Sequence, residues 1–121
     1  MSFFNVSTNF TRDEFACPCC GVNLIEDRVI VALQAVRERI KFPMMVNSGY
    51  RCEKHNATLP DSAPDSYHVK GLAVDIQVTP YLLHKILEVA PLFFYGIGLY
   101  HDKNIIHLDM RPESFKAVWV K

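Results

Sequence analysis

Apolar and polar residues alternate along this chain with two different periods, and the first of them predicts helices. The longest periodic segment, 26–40, predicts an amphipathic helix that ends before Pro43. Its apolar positions recur at helical spacing: Val29, Ile30, Leu33, Val36 and Ile40. Thr79 and Pro80 are a typical N-cap and first-turn pair, and they predict a second helix over 81–89.

A short helix is also predicted near the start of the chain. The segment 11–14, Thr-Arg-Asp-Glu, has the spacing of a capping box, and Phe10 and Phe15 stand where a hydrophobic staple would close it. The run 17–21, Cys-Pro-Cys-Cys-Gly, breaks this helix soon after it begins.

The second period, an alternation every two residues, predicts β-strands. The predicted strands are the ranges 44–47, 72–78, 96–100, 105–110 and 117–120. Prolines, aspartates and serines fill 53–66, which predicts a loop. Helices followed by short strands indicate an α+β fold, with N-terminal helices packed on a small antiparallel sheet. At 121 residues, we expect one domain over 1–121.

Charge and composition narrow the function classes. Thirteen basic residues balance thirteen acidic ones, so charge recruits neither nucleic acid nor an anionic membrane. The most apolar stretch, 90–100, carries Pro91 and two glycines and is too short to span a bilayer. Residues 1–10 lack the pattern of a secretory signal, so we expect a cytoplasmic protein until something else releases it. We also expect a monomer.

Two histidines and an aspartate are candidate metal ligands. His68 ends the polar loop, and Gly71 allows a turn into the strand that carries Asp75. His107 lies on another strand, where alternation places it on the same face as Asp109. Two imidazoles, one carboxylate and an open position are what catalytic zinc requires. Imidazole–carboxylate pairs also occur as plain buried hydrogen bonds, so the spacing alone leaves both interpretations open.

A set of motifs in a fixed order extends this interpretation. The motifs are Ser48-Gly-Tyr-Arg51, His55-Asn56, Ser66-Tyr-His68-Val-Lys-Gly71-Leu-Ala73-Val-Asp75, Gly96-Ile-Gly98-Leu-Tyr100 and His107-Leu-Asp109-Met-Arg111. Together they resemble the M15 family of zinc peptidases, which includes D-alanyl-D-alanine carboxypeptidases and phage endolysins. The resemblance runs from about residue 10 to residue 111 and implies the fold shared by hedgehog domains and DD-peptidases.

The resemblance implies roles for individual residues. His68, Asp75 and His107 match the zinc ligands of the family, and Arg51 matches the arginine that faces the scissile carbonyl or a substrate carboxylate. Ser66 either contacts substrate or caps its loop. Ser48 and Tyr50 are expected to shape the site rather than react.

The general base is the point where this chain departs from the family. Many members carry an acidic residue three positions before the last ligand or a histidine two before it, where this chain has Asn104 and Ile105. Asp109 is the nearest substitute, although the role we favour for this carboxylate is to orient a ligand. His101, Asp102 and Glu113 are further candidates, and the assignment stays open.

Four cysteines form a separate feature. Cys17-x-x-Cys20 together with Cys52-x-x-His55 has the ligand spacing of a structural zinc site, and Cys19 lies within the first pair. A second metal, a disulfide through Cys52 and buried free thiols are the three alternatives.

The leading functional hypothesis is a zinc metallopeptidase acting on the stem peptides of bacterial peptidoglycan, as phage lysins do. The bond cleaved, by carboxypeptidase or endopeptidase action, is not distinguished. The alternative is a non-catalytic zinc-binding domain that recognises peptidoglycan or a protein, and the absent family base favours it. A structural virion protein is a third hypothesis without positive support.

Overall fold

A five-stranded sheet forms the centre of the structure, a computed structural model that describes residues 9–59, 63 and 65–121. The strands are β1 (Met45–Ser48), β2 (Ala73–Gln77), β3 (Gly96–Tyr100), β4 (Ile105–Asp109) and β5 (Ala117–Val120). Their order across the sheet is β1-β2-β4-β3-β5. The predicted strands are confirmed, with ends that differ by at most one residue.

The pairing of the last strand corrects the prediction of an antiparallel sheet. β1, β2, β4 and β3 pair antiparallel in succession, but β5 runs parallel to β3. The chain reaches β5 through a short 3-10 helix, Glu113–Phe115, and adds the strand at the far edge. The sheet is therefore mixed, and the α+β class is confirmed.

Two of the three helices, α1 and α3, pack on the core face of this sheet. The helices are α1 (Asp27–Ile40), α2 (Glu53–Ala57) and α3 (Pro80–Val89). The predicted apolar stripe of α1 faces the core, where Val29, Leu33 and Val36 have no exposed surface. Lys41 ends α1 in the left-handed conformation, and the Thr79 hydroxyl caps α3 by accepting from the Leu82 N–H at 3.3 Å.

Alternation within the strands divides the sheet into two unlike faces. Ile76, Ile106 and Leu108 point into the core and are fully buried. Their neighbours Asp75 and His107 point to the opposite face, which carries polar side chains. The sheet thus provides a rigid floor for a polar site.

The helix α2 is a correction to the predicted loop over 53–66. Cys52 caps it through a sulfur that accepts from the His55 N–H at 3.4 Å. Five residues are too few to display a helical period, and cysteine is not a typical N-cap, so the sequence did not predict α2. Residues 60–62 and 64 of that predicted loop, like residues 1–8, lie outside the described residues.

The N-terminal helix forms as a 3-10 helix, Arg12–Phe15. The Thr11 N–H donates to the Glu14 carboxylate at 3.1 Å, and the rings of Phe10 and Phe15 meet edge to face at 6.1 Å. Over the described part of the chain, no helix combines the length and apolar character needed to cross a bilayer.

Candidate metal centre

Two of the candidate ligands are direct neighbours across the sheet. In the antiparallel pairing of β2 with β4, Asp75 stands opposite His107. Side chains in such a pair leave the same face of the sheet close enough to touch. As a result, Asp75 Oδ1 lies 2.9 Å from His107 Nδ1.

His68 reaches the same point from the loop that precedes β2. Gly71, with a φ of 74°, turns the chain back, and its N–H donates to the His68 carbonyl at 3.2 Å. A side chain at Gly71 would place its Cβ 2.1 Å from the Leu24 carbonyl oxygen, so this turn requires glycine. His68 Nε2 then lies 3.1 Å from Asp75 Oδ1 and 3.2 Å from His107 Nδ1.

These three atoms form a triangle of the size that tetrahedral zinc needs. Its edges measure 2.9, 3.1 and 3.2 Å. With bonds of roughly 2.0–2.1 Å, ligand atoms of a regular tetrahedron lie about 3.3 Å apart. His68 and His107 are almost completely buried, and Asp75 is partly buried at the cleft floor. The donor set therefore fits a metal ion with one open position.

The outer nitrogen of each imidazole is already committed to an acceptor. His68 Nδ1 lies 2.7 Å from the Gly49 carbonyl oxygen, and His107 Nε2 lies 2.8 Å from Asp109 Oδ2. Each outer nitrogen must therefore carry the proton, which leaves the inner nitrogen of a neutral ring with a lone pair. Two lone pairs and a carboxylate then converge, an arrangement that attracts a cation.

The pKa shifts of His107 and Asp75 also indicate that the cluster favours a bound positive charge. Burial disfavours protonation of His107, but its hydrogen bonds to Asp109 and Asp75 outweigh burial and raise its pKa to about 9. Burial alone would raise the pKa of Asp75, yet the adjacent His68 and His107 hold it well below its usual range. A proton and a metal ion compete for His107 Nδ1, and Asp75 stays ionised.

Asp109 lies behind the His107 ring, on the side away from Asp75. It has no exposed surface and accepts the Arg111 Nε and Nη2 protons at 2.9 and 2.8 Å, besides the backbone N–H of Arg111 at 3.0 Å. Burial would raise the pKa of Asp109, but Arg111 and His107 lower it far more. Of the two roles that the sequence left open, this geometry suits orientation of His107.

The support behind Asp109 includes residues that the sequence analysis did not single out. The Arg111 guanidinium lies 4.9 Å from the ring centres of both Tyr67 and Trp119. The Trp119 ring in turn packs 5.4 Å from the His107 ring. Alternation could have placed Arg111 on the face of His107 and Asp109. The sequence did not indicate that Trp119 lies near His107, because Trp119 belongs to the parallel edge strand β5.

The three candidate ligands line a cleft with a volume of about 520 Å³. Its described lining includes four basic side chains: Arg51, Lys70, Lys103 and Arg111. Apart from the ligand Asp75, the acidic side chain in that lining is Asp65. The cleft therefore presents mainly positive charge around the site.

Arg51 occupies the cleft where the resemblance predicts a substrate-facing arginine. Its backbone N–H donates to the His68 carbonyl at 3.2 Å, which ties the arginine to the ligand loop. Its Nε is buried and has no hydrogen-bond partner among the described residues. Burial lowers the pKa of Arg51, although Asp75 opposes this effect. A buried donor without an acceptor fits an oxygen atom supplied by a ligand.

Ser66 lines the cleft and also shapes the ligand loop. Its hydroxyl accepts the His68 N–H at 3.2 Å, so the capping role exists whether or not a substrate binds. Ser48 also lines the cleft, and Tyr50 is buried beside it in the core.

The remaining candidates for the general base lie away from the cleft lining. His101, Asp102 and Glu113 are exposed, and none of them contributes to the lining. Asn104 has a φ of 55° and closes the turn before β4, a left-handed position that asparagine tolerates well. Besides the three candidate ligands and the arginines, the titratable side chains of the described lining are His55, Asp65, Tyr67, Lys70, Tyr100 and Lys103.

The cysteines form a second group, whose membership differs from the one predicted. Cys17, Cys19, Cys20 and Cys52 place their sulfur atoms within 4.8 Å of one another. Cys19 therefore joins the group, whereas the His55 side chain does not and lines the cleft instead.

An α+β domain with two imidazoles and a carboxylate converging in an open cleft defines a candidate metal-dependent hydrolase. A family model described as Peptidase M15 matches residues 8–109, and the chain belongs to this peptidase family. A comparison with curated proteins gave no match. The matched segment contains Arg51 and all three candidate ligands, and family membership implies a peptidase.

Proposed function

We propose that this protein is a zinc-dependent peptidase that hydrolyses peptide bonds in the stem peptides of bacterial peptidoglycan, as phage lysins do. One observation carries the proposal: three metal-ligand atoms meet at 2.9–3.2 Å in a cleft that also holds a buried arginine donor with no partner in the described part of the chain. Membership in the Peptidase M15 family supports the same conclusion.

His68, Asp75 and His107 are the residues that would hold zinc. When bound at such a site, zinc acts as a Lewis acid and lowers the pKa of a coordinated water to about 7. The Gly49 carbonyl and Asp109 keep the outer nitrogens of the two imidazoles protonated, so that both rings face the site as neutral ligands.

Arg51 is the residue best placed to bind an oxygen of the substrate. Its planar guanidinium can donate to the carbonyl oxygen of the scissile bond or to a nearby carboxylate, and negative charge developing on that oxygen strengthens the contact. Ser66 provides a further hydroxyl in the cleft for a substrate amide.

The charge of the cleft favours a peptide that carries carboxylates. Lys70 and Lys103 line it together with Arg51, against Asp65 as the acidic residue outside the ligand set, whereas Arg111 is paired with Asp109. Stem peptides of peptidoglycan carry free carboxylates on D-glutamate and on the terminal D-alanine. Their attraction to a positive cleft supports this substrate class over a basic or neutral peptide.

The proposal is tested with purified protein, intact peptidoglycan and a synthetic peptide ending in D-alanyl-D-alanine. We expect fragments that disappear with a chelator and return with added zinc, and their masses identify the bond cleaved. His68→Ala is the matched variant and should release none. Fragments that persist after complete removal of metal would contradict a zinc peptidase.

A non-catalytic zinc-binding module is the second candidate function. The observation that favours it is the junction of the turn with β4, where Asn104, the last residue of the turn, and Ile105, the first of the strand, stand in place of the family's base. This function predicts zinc in the purified protein and co-sedimentation with peptidoglycan, without any released fragment. Fragment release that His68→Ala abolishes would exclude it.

A further inference from the structure

A second cluster of ligand-type side chains lies next to the cleft, whose lining includes Pro18 but none of the cysteines. It consists of Cys17, Cys19, Cys20 and Cys52, whose sulfur atoms all lie within 4.8 Å of one another. The sulfur of Cys52 is 3.6 Å from that of Cys17 and 3.5 Å from that of Cys19. The peptidase chemistry proposed above uses none of these thiols.

We propose that these four cysteines bind a structural zinc ion as a tetrathiolate site. Zinc–sulfur bonds of about 2.3 Å place the sulfurs of a regular tetrahedron about 3.8 Å apart, close to the separations of Cys52 from Cys17 and Cys19. Four thiolates also complete the coordination without water, as structural zinc sites do. The second metal is thus distinct in ligand type from the one in the cleft.

The backbone around the cluster is arranged to stabilise thiolates. The Cys52 N–H points at the Cys17 sulfur at 3.5 Å, and the His55 N–H points at the Cys52 sulfur at 3.4 Å. Hydrogen bonds from backbone amides to sulfur favour its charged form. The Gly21 N–H donates to the Cys17 carbonyl at 2.8 Å and closes the turn that gathers the first three cysteines.

The exposure of the four cysteines allows a metal ion to enter the site and then cross-link the chain. Cys17 is buried and Cys52 is partly buried, whereas Cys19 and Cys20 face solvent. A metal ion can therefore reach the sulfurs from one side. Two disulfides could also use all four thiols. Cys19 and Cys20 would then bond either to each other, as adjacent residues of one tight turn, or to two different cysteines of the cluster.

The position of Cys52 shows which segments of the chain a zinc ion at this site would hold together. Cys52 follows Arg51 directly, and the turn before it is already joined to the N-terminal segment by the Tyr50 N–H, which donates to the Phe15 carbonyl at 2.8 Å. In the same turn, the Gly49 carbonyl lies 2.7 Å from His68 Nδ1. The metal would clip the N-terminal segment onto the turn that presents both Arg51 and the partner of His68.

The test is a count of metal ions per chain in protein purified under reducing conditions, with variants that separate the two sites. We expect two zinc ions in the wild type, one in Cys19→Ser and two in His55→Ala. His55 has the sequence spacing of a ligand but lies outside the sulfur cluster, so it is the matched control. His68→Ala should lose the cleft metal alone, which keeps this proposal separate from the proposed function.

Cobalt substitution identifies the ligands directly. Cobalt in the cysteine site should show sulfur-to-metal charge-transfer absorption, which His68→Ala retains and Cys19→Ser loses or reduces. If Cys19→Ser does not fold, alkylation of the wild type gives the answer: all four thiols should resist until a chelator is added. Retention of both metals in Cys19→Ser, loss of the second metal in His55→Ala, or disulfide-linked cysteines in the metal-loaded protein would each overturn the proposal.

Discussion

Replacing Asp109 with asparagine tests whether this residue orients His107 or takes part in proton transfer. The substitution Asp109→Asn preserves the size of the side chain and removes its charge. In the native protein the carboxylate accepts from His107 Nε2 at 2.8 Å and from two nitrogens of the Arg111 guanidinium at 2.8 and 2.9 Å. In the place of Oδ2, the amide oxygen can keep the bonds from His107 Nε2 and Arg111 Nη2, but the NH₂ group then faces the Arg111 Nε and backbone N–H donors.

Two separate magnitudes follow from this geometry. Loss of the partner that orients a ligand weakens metal binding by about 10- to 100-fold, or roughly 1.4–2.7 kcal/mol. The free energy of unfolding of the metal-free protein should fall by roughly 2–3 kcal/mol, because hydrogen bonds to a charged group are lost in a buried position. Arg111 is largely shielded, with 17% of its side chain exposed, so solvent recovers little of that loss.

Zinc affinity is measured by competition with a chromophoric chelator, and peptide hydrolysis is measured at saturating zinc. For an orienting residue, Asp109→Asn should weaken zinc binding, while hydrolysis at saturating zinc stays within about tenfold of the wild type. Glu38→Gln, which neutralises an exposed carboxylate on α1, is the control and should change neither quantity. Wild-type zinc affinity combined with a large loss of kcat would refute the orienting role and return Asp109 to the candidates for the base.

Three further substitutions test other parts of the structure. Gly98→Ala would place a Cβ 2.5 Å from the Trp119 ring, so its thermal midpoint should fall by the equivalent of about 1–3 kcal/mol, and an unchanged midpoint would contradict that packing. Arg51→Lys should lower kcat/KM by about 10²–10³ with zinc content unaltered, whereas full activity would remove Arg51 from substrate binding. Phe94→Ala should cost roughly 3–5 kcal/mol in denaturant unfolding, against about 0.5 kcal/mol or less for Phe115→Ala at an exposed site, and equal effects would mean that the core is misassigned.

The strands were predictable because each has a clear pattern of its own. The ranges 96–100 and 117–120 agree with β3 and β5, and the apolar stripe of α1 lies where its helical period predicted. The direction of β5 was not predictable in the same way. Pairing depends on where the chain returns after 113–115, and alternation within a strand carries no information about its neighbour.

The residues of the site could be predicted from the sequence, but the contacts between them could be predicted less well. Alternation placed His107 and Asp109 on one face, but the direct opposition of Asp75 and His107 depends on the pairing of two strands distant in sequence. The predicted cysteine set contained His55 and omitted Cys19, because ligand spacing assumes a regular turn between the ligands. The tight turn ending at Gly21 brings Cys19 to the cluster instead.

The opposition of Asp75 and His107 makes the cleft chemistry dependent on the register of the sheet. If β2 slipped by one residue against β4, Asp75 would turn toward the helices and an isoleucine or valine would enter the cleft. Metal affinity at the proposed site would therefore report correct strand pairing. Insertions and deletions are compatible with the cleft only where they leave β2 and β4 in phase, which confines length variation to the connections between strands.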